Sequence, residues 1–249
     1  MKTALITGAS QGIGKETARA FARAGYALCL QYRTHERDAQ ALCEELRENG
    51  CPCLCLPADL RREEDVNTLV RTAEQEFSHI DVLVNNAGIA QQKLFTDLTL
   101  QDWDDIFSVD VTGVFLCCRA VLPGMIRRQS GAIINISSMW GQVGASCEVA
   151  YSAAKAAVIG LTKALAKEEG PSHIRVNCIA PGVIDTPMNG FLSPETMEEL
   201  REETPLMRIG TPADVAAAAV FLASDAASFI TGQILGVNRV FRCEPPVTR

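Results

Sequence analysis

Tyr151 and Lys155 stand four residues apart in Tyr151-Ser152-Ala153-Ala154-Lys155, a spacing that puts an aromatic hydroxyl and an ammonium on one face of a helix. A free phenol titrates at about 10 and is a reluctant acid or base at neutral pH. A nearby ammonium stabilises phenolate and is expected to bring the Tyr151 pKa toward the working range. Ser138 follows the apolar run Ala132-Ile133-Ile134, so its hydroxyl is expected at a strand end, where it can bond a carbonyl oxygen. Near the N-terminus, Thr7-Gly8-Ala9-Ser10-Gln11-Gly12-Ile13-Gly14 joins another apolar run to a helical stretch from Lys15 to Ala24. Glycines at such a turn let the backbone approach a pyrophosphate, and the helix N-terminus offers unpaired N–H groups and a positive dipole end.

These groups need a frame that brings strand ends together. Strand-like runs near residues 3–7, 27–32, 52–56, 80–85, 131–137, 174–180 and 233–237 alternate with helical stretches along the chain. Ala4-Leu5-Ile6, Val82-Leu83-Val84 and Ala132-Ile133-Ile134 are continuously apolar, as in strands buried on both faces. The pattern predicts an α/β fold, a Rossmann-type doubly wound parallel sheet of about seven strands with helices on both faces. A single domain over 1–249 is expected. Thr99 with Asp102, and Thr211-Pro212-Ala213-Asp214, mark helix starts. The stretch 185–204, with two prolines and a glycine, reads as a loop or lid over substrate.

A net charge of −7 and the lack of a basic cluster weigh against a nucleic-acid partner. The longest charge-free stretch, Gly131 to Cys147, is too polar to cross a bilayer, so no membrane span is expected. The N-terminus enters a strand directly, which gives a cytoplasmic expectation. Of ten cysteines, Cys29, Cys117, Cys118 and Cys178 lie in apolar runs and read as small buried hydrophobes. Cys51, Cys53 and Cys55 alternate along a strand and read as packing, since none of His35, His79 or His173 supplies a second ligand group for zinc.

The glycine turn Thr7-Gly8-Ala9-Ser10-Gln11-Gly12-Ile13-Gly14 resembles that of the short-chain dehydrogenase/reductase family. Asp59-Leu60, Asn85-Asn86-Ala87-Gly88, and Pro181-Gly182-Val183 with Thr186 resemble further family motifs in the same order, so the likeness spans residues 2–238. It implies a nicotinamide cofactor held by Gly8, Ser10, Gln11, Gly12, Ile13, Gly14, Asp59, Leu60, Asn86, Ala87, Gly88, Pro181, Gly182, Val183 and Thr186, with Tyr151 and Lys155. It also implies carbonyl reduction in which Tyr151 donates a proton, Lys155 lowers the Tyr151 pKa and holds the nicotinamide ribose, and Ser138 orients the substrate. A homo-oligomer, dimer or tetramer, goes with the family.

The second strand ends in Leu30-Gln31-Tyr32-Arg33-Thr34 with no acid to bind a ribose 2'-hydroxyl. Arg33, with Lys15 adding to the field, favours NADPH over NADH, although Gln11 stands where NADP-preferring relatives often carry a base and Arg33 is alternatively a solvated loop charge. Two departures stand out. Ser108-Val109-Asp110-Val111-Thr112-Gly113 has aspartate where the family carries a catalytic asparagine, which makes Asp110 a candidate for the catalytic set with an altered titration. The 239–249 tail lacks the usual aspartate-glycine-glycine turn, which bears on assembly.

The whole chain is similar to the 3-oxoacyl-acyl-carrier-protein reductase branch, whose substrate is a carrier-bound ketone. Ser137-Ser138-Met139-Trp140-Gly141-Gln142-Val143-Gly144-Ala145-Ser146-Cys147-Glu148-Val149 is similar to reductases of the 5-aminopentanone modification on elongation factor P. Glu148 is then either an attractor for a cationic substrate or an exposed loop carboxylate. The alternative from another class is a regulator that binds NAD(P) without catalysis.

Overall fold

A computed structural model describes residues 1–190 and 192–238. Seven strands form one sheet: β1 (Thr3–Ile6), β2 (Ala27–Tyr32), β3 (Cys53–Pro57), β4 (Val82–Asn85), β5 (Gly131–Ile136), β6 (Ile174–Pro181) and β7 (Ile234–Val237). Their order is β3-β2-β1-β4-β5-β6-β7, every pair parallel. The expected strands are all present, with the third and fourth beginning one and two residues later than the sequence suggests.

Helices cover both faces because alternate strand residues are apolar on both sides. Ala4, Ile6, Leu28 and Val84 pack beneath α1 (Gly12–Arg23) and α2 (Glu36–Glu48). Leu5, Cys29, Leu83 and Ile133 pack on the other face, beneath α3 (Glu63–Phe77), α5 (Gly113–Arg128) and α7 (Val149–Glu169). The small helix α4 (Leu100–Phe107) precedes α5 and α6 (Trp140–Val143) precedes α7, while α8 (Pro194–Glu202) and α9 (Pro212–Ala223) follow. Connections leave β1 and β4 in opposite directions across the sheet, and this reversal opens a crevice at their carboxyl ends.

Three readings need adjustment. The stretch 185–204 is not simply loop, since Ser193 caps α8 within it by accepting the Thr196 N–H at 3.2 Å. Two helical stretches, Leu100–Arg128 and Val149–Ser172, are long enough to cross a membrane and each holds an 18-residue window apolar enough to do so, of mean hydropathy 1.7 and 1.2, which the charge-free run did not indicate. Their apolarity has a packing cause: Val114, Cys117, Val121 and Met125 of α5 and Val158 and Ala166 of α7 belong to the core under the sheet. Finally, the atypical tail, 239–249, lies outside the described residues.

Candidate active site

The glycine turn is built by backbone geometry that side chains would obstruct. Gly8 and Gly12 have φ of +62° and +51°, in the left-handed region that favours glycine. A Cβ on Gly14 would stand 2.5 Å from Asn86 Nδ2 and nearer still to the Gly8 carbonyl, so this glycine serves contact between the loops after β1 and β4. Asn86 Nδ2 donates to the Thr7 and Gly8 carbonyls, both at 3.0 Å. Thr7 Oγ1 in turn accepts the Asn86 and Ala87 N–H groups at 3.0 and 3.1 Å. Gln11, at the cap of α1, makes no side-chain cap hydrogen bond, and the first turn carries no acid. The helix end is therefore left to an anion, with Gly8, Ser10, Gln11, Gly12 and Ile13 lining the cleft before it and Gly14 behind.

Gln31, on β2, which the sequence reading passed over, ties the loop after β1 to that after β3. Its Oε1 accepts the Gly8 N–H at 2.9 Å and its Nε2 donates to the Ala58 carbonyl at 2.7 Å. An amide in a strand of apolar residues was the available signal. Arg33 lines the cleft as expected, joined by His35; Lys15 does not. Gln11 Nε2 donates to Asp38 Oδ2 at 2.9 Å. Asp59 and Leu60 also line the cleft, and the Arg61 guanidinium beside Asp59 holds its carboxyl below the usual range.

Ser138, Tyr151 and Lys155 line the same cleft. Ser138 lies two residues beyond β5, its Oγ accepting the Trp140 N–H at 3.1 Å. Tyr151 sits in the first turn of α7, with Lys155 Nζ 5.5 Å from its ring centroid. Ser137 Oγ donates to the Lys155 carbonyl at 2.8 Å, and Lys155 Nζ donates to the Ile136 carbonyl at 3.1 Å, so strand end and helix are bound together. A Cβ on Gly141 would lie 2.7 Å from the Lys155 carbonyl carbon, which explains the glycine where α6 meets α7.

Asp110 lies in a π turn, Ser108–Thr112, where the Gly113 N–H reaches back five residues to the Ser108 carbonyl. Such turns recur at functional sites because they rotate one side chain out of the helical register. Asp110 is wholly buried and lines no part of the cleft. Its Oδ1 accepts the Ile89 N–H at 2.8 Å; its Oδ2 faces Lys155 Nζ at 3.0 Å but makes no conventional hydrogen bond. Burial pushes the Asp110 carboxyl up against the pull of Lys155. For Lys155, burial works downward, and the Asp110 and Tyr151 partners more than offset it, holding the ammonium above its usual value.

Tyr151 differs from the expectation that Lys155 alone would bring it toward neutrality. Burial raises its pKa; Lys155 lowers it; Asp110 raises it again, and the balance lies above the ordinary phenol. The group is thus a phenol at neutral pH, a donor.

At the far end, Pro181, Gly182, Val183 and Thr186 line the cleft where β6 runs out. The Gly182 N–H donates to the Val237 carbonyl at 2.9 Å, and Met139 donates to the Pro181 carbonyl at 2.8 Å. The cleft measures about 690 Å³ and its mouth adds Gln92, Trp140, Glu148 and Met188. Of these the sequence singled out only Glu148, which accepts from Gln92 Nε2 at 3.1 Å. An extended groove of this size, with a bare helix N-terminus and two positive-φ glycines at one end and a buried ammonium at the other, fits a dinucleotide.

The family model described as "Enoyl-(Acyl carrier protein) reductase" matches residues 8–239. The chain is 41% identical to the 3-oxoacyl-[acyl-carrier-protein] reductase FabG of Staphylococcus aureus, over 95% of this chain and 96% of that one. It is 42% identical to the 3-oxoacyl-[acyl-carrier-protein] reductase of Synechocystis, covering 95% of each. It is 44% identical to an uncharacterized oxidoreductase, YmfI, of Bacillus subtilis, over 97% of this chain and 99% of that one. With that coverage and the cleft just described, the chain belongs to the short-chain dehydrogenase/reductase family and is an NAD(P)H-dependent oxidoreductase acting on a carbonyl or alcohol.

Proposed function

We propose that the protein reduces the ketone of a 3-oxoacyl thioester on an acyl carrier to a secondary alcohol, with NADPH as cofactor. The nicotinamide, when bound, supplies a hydride. Tyr151 gives its phenolic proton to the carbonyl oxygen as negative charge gathers there, and Ser138 donates a hydrogen bond to the same oxygen. Lys155 holds the nicotinamide ribose and balances the phenolate that Tyr151 leaves behind. Asp110 does not reach the cleft and acts through Lys155. Gly8, Ser10, Gln11, Gly12 and Ile13 take the pyrophosphate, Asp59 and Leu60 the adenine, and Ala87, Gly88, Pro181, Gly182, Val183 and Thr186 the nicotinamide half. Gly14 and Asn86 serve by holding the two loops together. The 185–204 stretch, with α8, closes over the substrate.

The observation that carries this reading is that Ser138, Tyr151 and Lys155 share one cleft with the glycine turn. The relatives named as 3-oxoacyl-carrier-protein reductases support the substrate class. Arg33 at the end of β2 supports NADPH, as a planar cation suited to a 2'-phosphate. Exposed Phe115, Phe221 and Phe229 support a homo-oligomer, dimer or tetramer. Tyr151→Phe tests the core of the reading. Turnover of an acetoacetyl thioester should fall roughly 100-fold or more while NADPH affinity holds within a few-fold; a variant working at the parent rate overturns it.

Glu148 favours a second reading, reduction of the aminated ketone on elongation factor P. Its carboxylate lies at the cleft mouth rather than in open loop, where it would draw an ammonium-bearing substrate. Side-by-side turnover of an acetoacetyl thioester and of ketone-modified elongation factor P decides between them. With the second substrate, Glu148→Gln should raise KM several-fold; with the first it should not.

A further inference from the structure

Of the two carboxylates buried among the described residues, Asp110 and Glu169, Asp110 is the one that meets the Ser138, Tyr151, Lys155 set. Its carboxylate is fully enclosed, meets Lys155 Nζ at 3.0 Å, and keeps Oδ2 free of any conventional hydrogen bond. An asparagine oxygen would still accept the Ile89 N–H, but its NH2 would then stand against the Lys155 ammonium, a donor facing a donor where the carboxylate makes an ion pair. The negative charge itself is what an amide lacks, and it faces the one cation beside Tyr151.

We propose that Asp110 is a positioning residue that sets the pH window of the reductase: by balancing the Lys155 ammonium it keeps Tyr151 a protonated donor well into the alkaline range. The inference rests on the ketone-reductase reading above. Coulomb's law makes the direction plain. With Lys155 alone, the phenolate is favoured by an uncompensated positive charge; with Asp110 at contact distance from that charge, the two fields largely cancel at the phenol. The direction found for Tyr151 agrees, since Asp110 acts upward on it and Lys155 downward.

Among the described residues that face the site, only Glu148 acts on Tyr151 in the same direction, and more weakly than Asp110. It comes from the N-terminus of α7, which also carries Tyr151 and Lys155, and its carboxylate accepts from Gln92 Nε2. From β6 comes the Cys178 thiol, which burial pushes up to about 11 and so leaves neutral. From α4, packed on the π turn, Asp102 pairs with Lys93 at 2.6 Å; from α5, Arg119 pairs with Glu63. Gly88 completes the arrangement, because a Cβ there would lie 2.8 Å from Asp110 Oδ2 and 3.1 Å from Lys155 Nζ.

The experiment compares the native protein with Asp110→Asn by two readouts. The first is the pH dependence of kcat/KM for ketone reduction with NADPH. The second needs no substrate or cofactor: tyrosinate absorbance of the free protein across pH, with Tyr151→Phe subtracted to remove Tyr26 and Tyr32. Asp110→Asn should move both the alkaline limb of the profile and the Tyr151 titration to lower pH by about one unit, a tenfold change in proton affinity. A uniform drop in rate with neither curve displaced, or displacement to higher pH, overturns the proposal. Should Asp110→Asn fail to fold, Asp110→Ser is read by the same absorbance titration, with the same outcomes. If neither assayed ketone is turned over but the absorbance titration moves, the substrate reading has failed and this one stands.

Discussion

Tyr151, Lys155 and Asp110 form a short file of opposing charge in which each member decides the protonation of the next. Burial alone would leave an aspartate uncharged or a lysine deprotonated, and the ion pair opposes both. Removing Lys155 would strand Asp110, so Lys155→Met should cost stability as well as activity, on the order of 3–5 kcal/mol for a broken buried pair. The double variant Lys155→Met with Asp110→Leu should recover much of that stability in a denaturant melt while remaining inactive. A double variant as unstable as the single one would mean that packing, not stranded charge, sets the cost. Gly88 gives a second prediction at this scale. Gly88→Ala pushes a methyl between Asp110 and Lys155, so kcat should fall by more than about tenfold, with a stability loss of about 1–3 kcal/mol from overpacking. An alanine variant with native kcat would show that the pair has slack which the geometry denies.

Helices α4 and α9 are started by short polar codes. At α9, Thr211 and Asp214 form a reciprocal cap: Thr211 Oγ1 accepts the Asp214 N–H and Asp214 Oδ2 accepts the Thr211 N–H at 2.7 Å. Arg208 joins, at 2.7 Å from Asp214 Oδ1, and holds the Asp214 carboxyl far below its usual range, with the Thr211 N–H acting in the same direction. A depressed acid lends stability above its unfolded value, near 3.8, and that contribution drains away as pH falls through and below it. Melting temperature should therefore drop between about pH 5 and pH 2, and drop less steeply in Asp214→Asn; parallel curves for the two proteins would remove Asp214 from the account. Thr211→Ala should cost about 1 kcal/mol at neutral pH. Both caps, at Thr99 and Thr211, were readable in sequence because a cap is a local code of three residues. The strands were readable for the same reason, as continuous apolar runs such as Val82-Leu83-Val84. What sequence withheld was non-local. Gln31 on β2 bridges the loops that hold Gly8 and Ala58, and Asn86 turns out to bind the Thr7 and Gly8 carbonyls. The π turn at Asp110 packs against α4, α5 and α7, which come together only in the fold, so the residue's identity was visible while its pairing geometry was not. Helix α8 was hidden by the two prolines of the 185–204 stretch, of which Pro194 stands at its first position, where proline is tolerated.

At the scale of the molecule, the cleft crosses the sheet between its two halves, with the loops after β1, β2 and β3 lining one end and those after β4, β5 and β6 the other. A ligand filling it touches loops from both halves of the sheet at once, so binding should stabilise the whole fold rather than one loop. Linkage gives the size: at a cofactor concentration of 100 Kd the gain is about 2.7 kcal/mol, which for a domain of 150–250 residues corresponds to roughly 5–11 °C in Tm. The sign of the cofactor preference is argued from the same cleft. Arg33 and His35 line it just beyond β2, and of the acids nearby Asp38 is engaged by Gln11 and Asp59, which lines the cleft, by Arg61. NADPH should then raise Tm by several degrees more than NADH at equal concentration, because a tenfold difference in Kd is worth about 1.4 kcal/mol. Arg33→Ala should bring the two shifts together by lowering the NADPH value while leaving that of NADH in place. Equal shifts in the native protein, or an Arg33→Ala variant that loses both alike, would show that the 2'-phosphate is not read at this strand end.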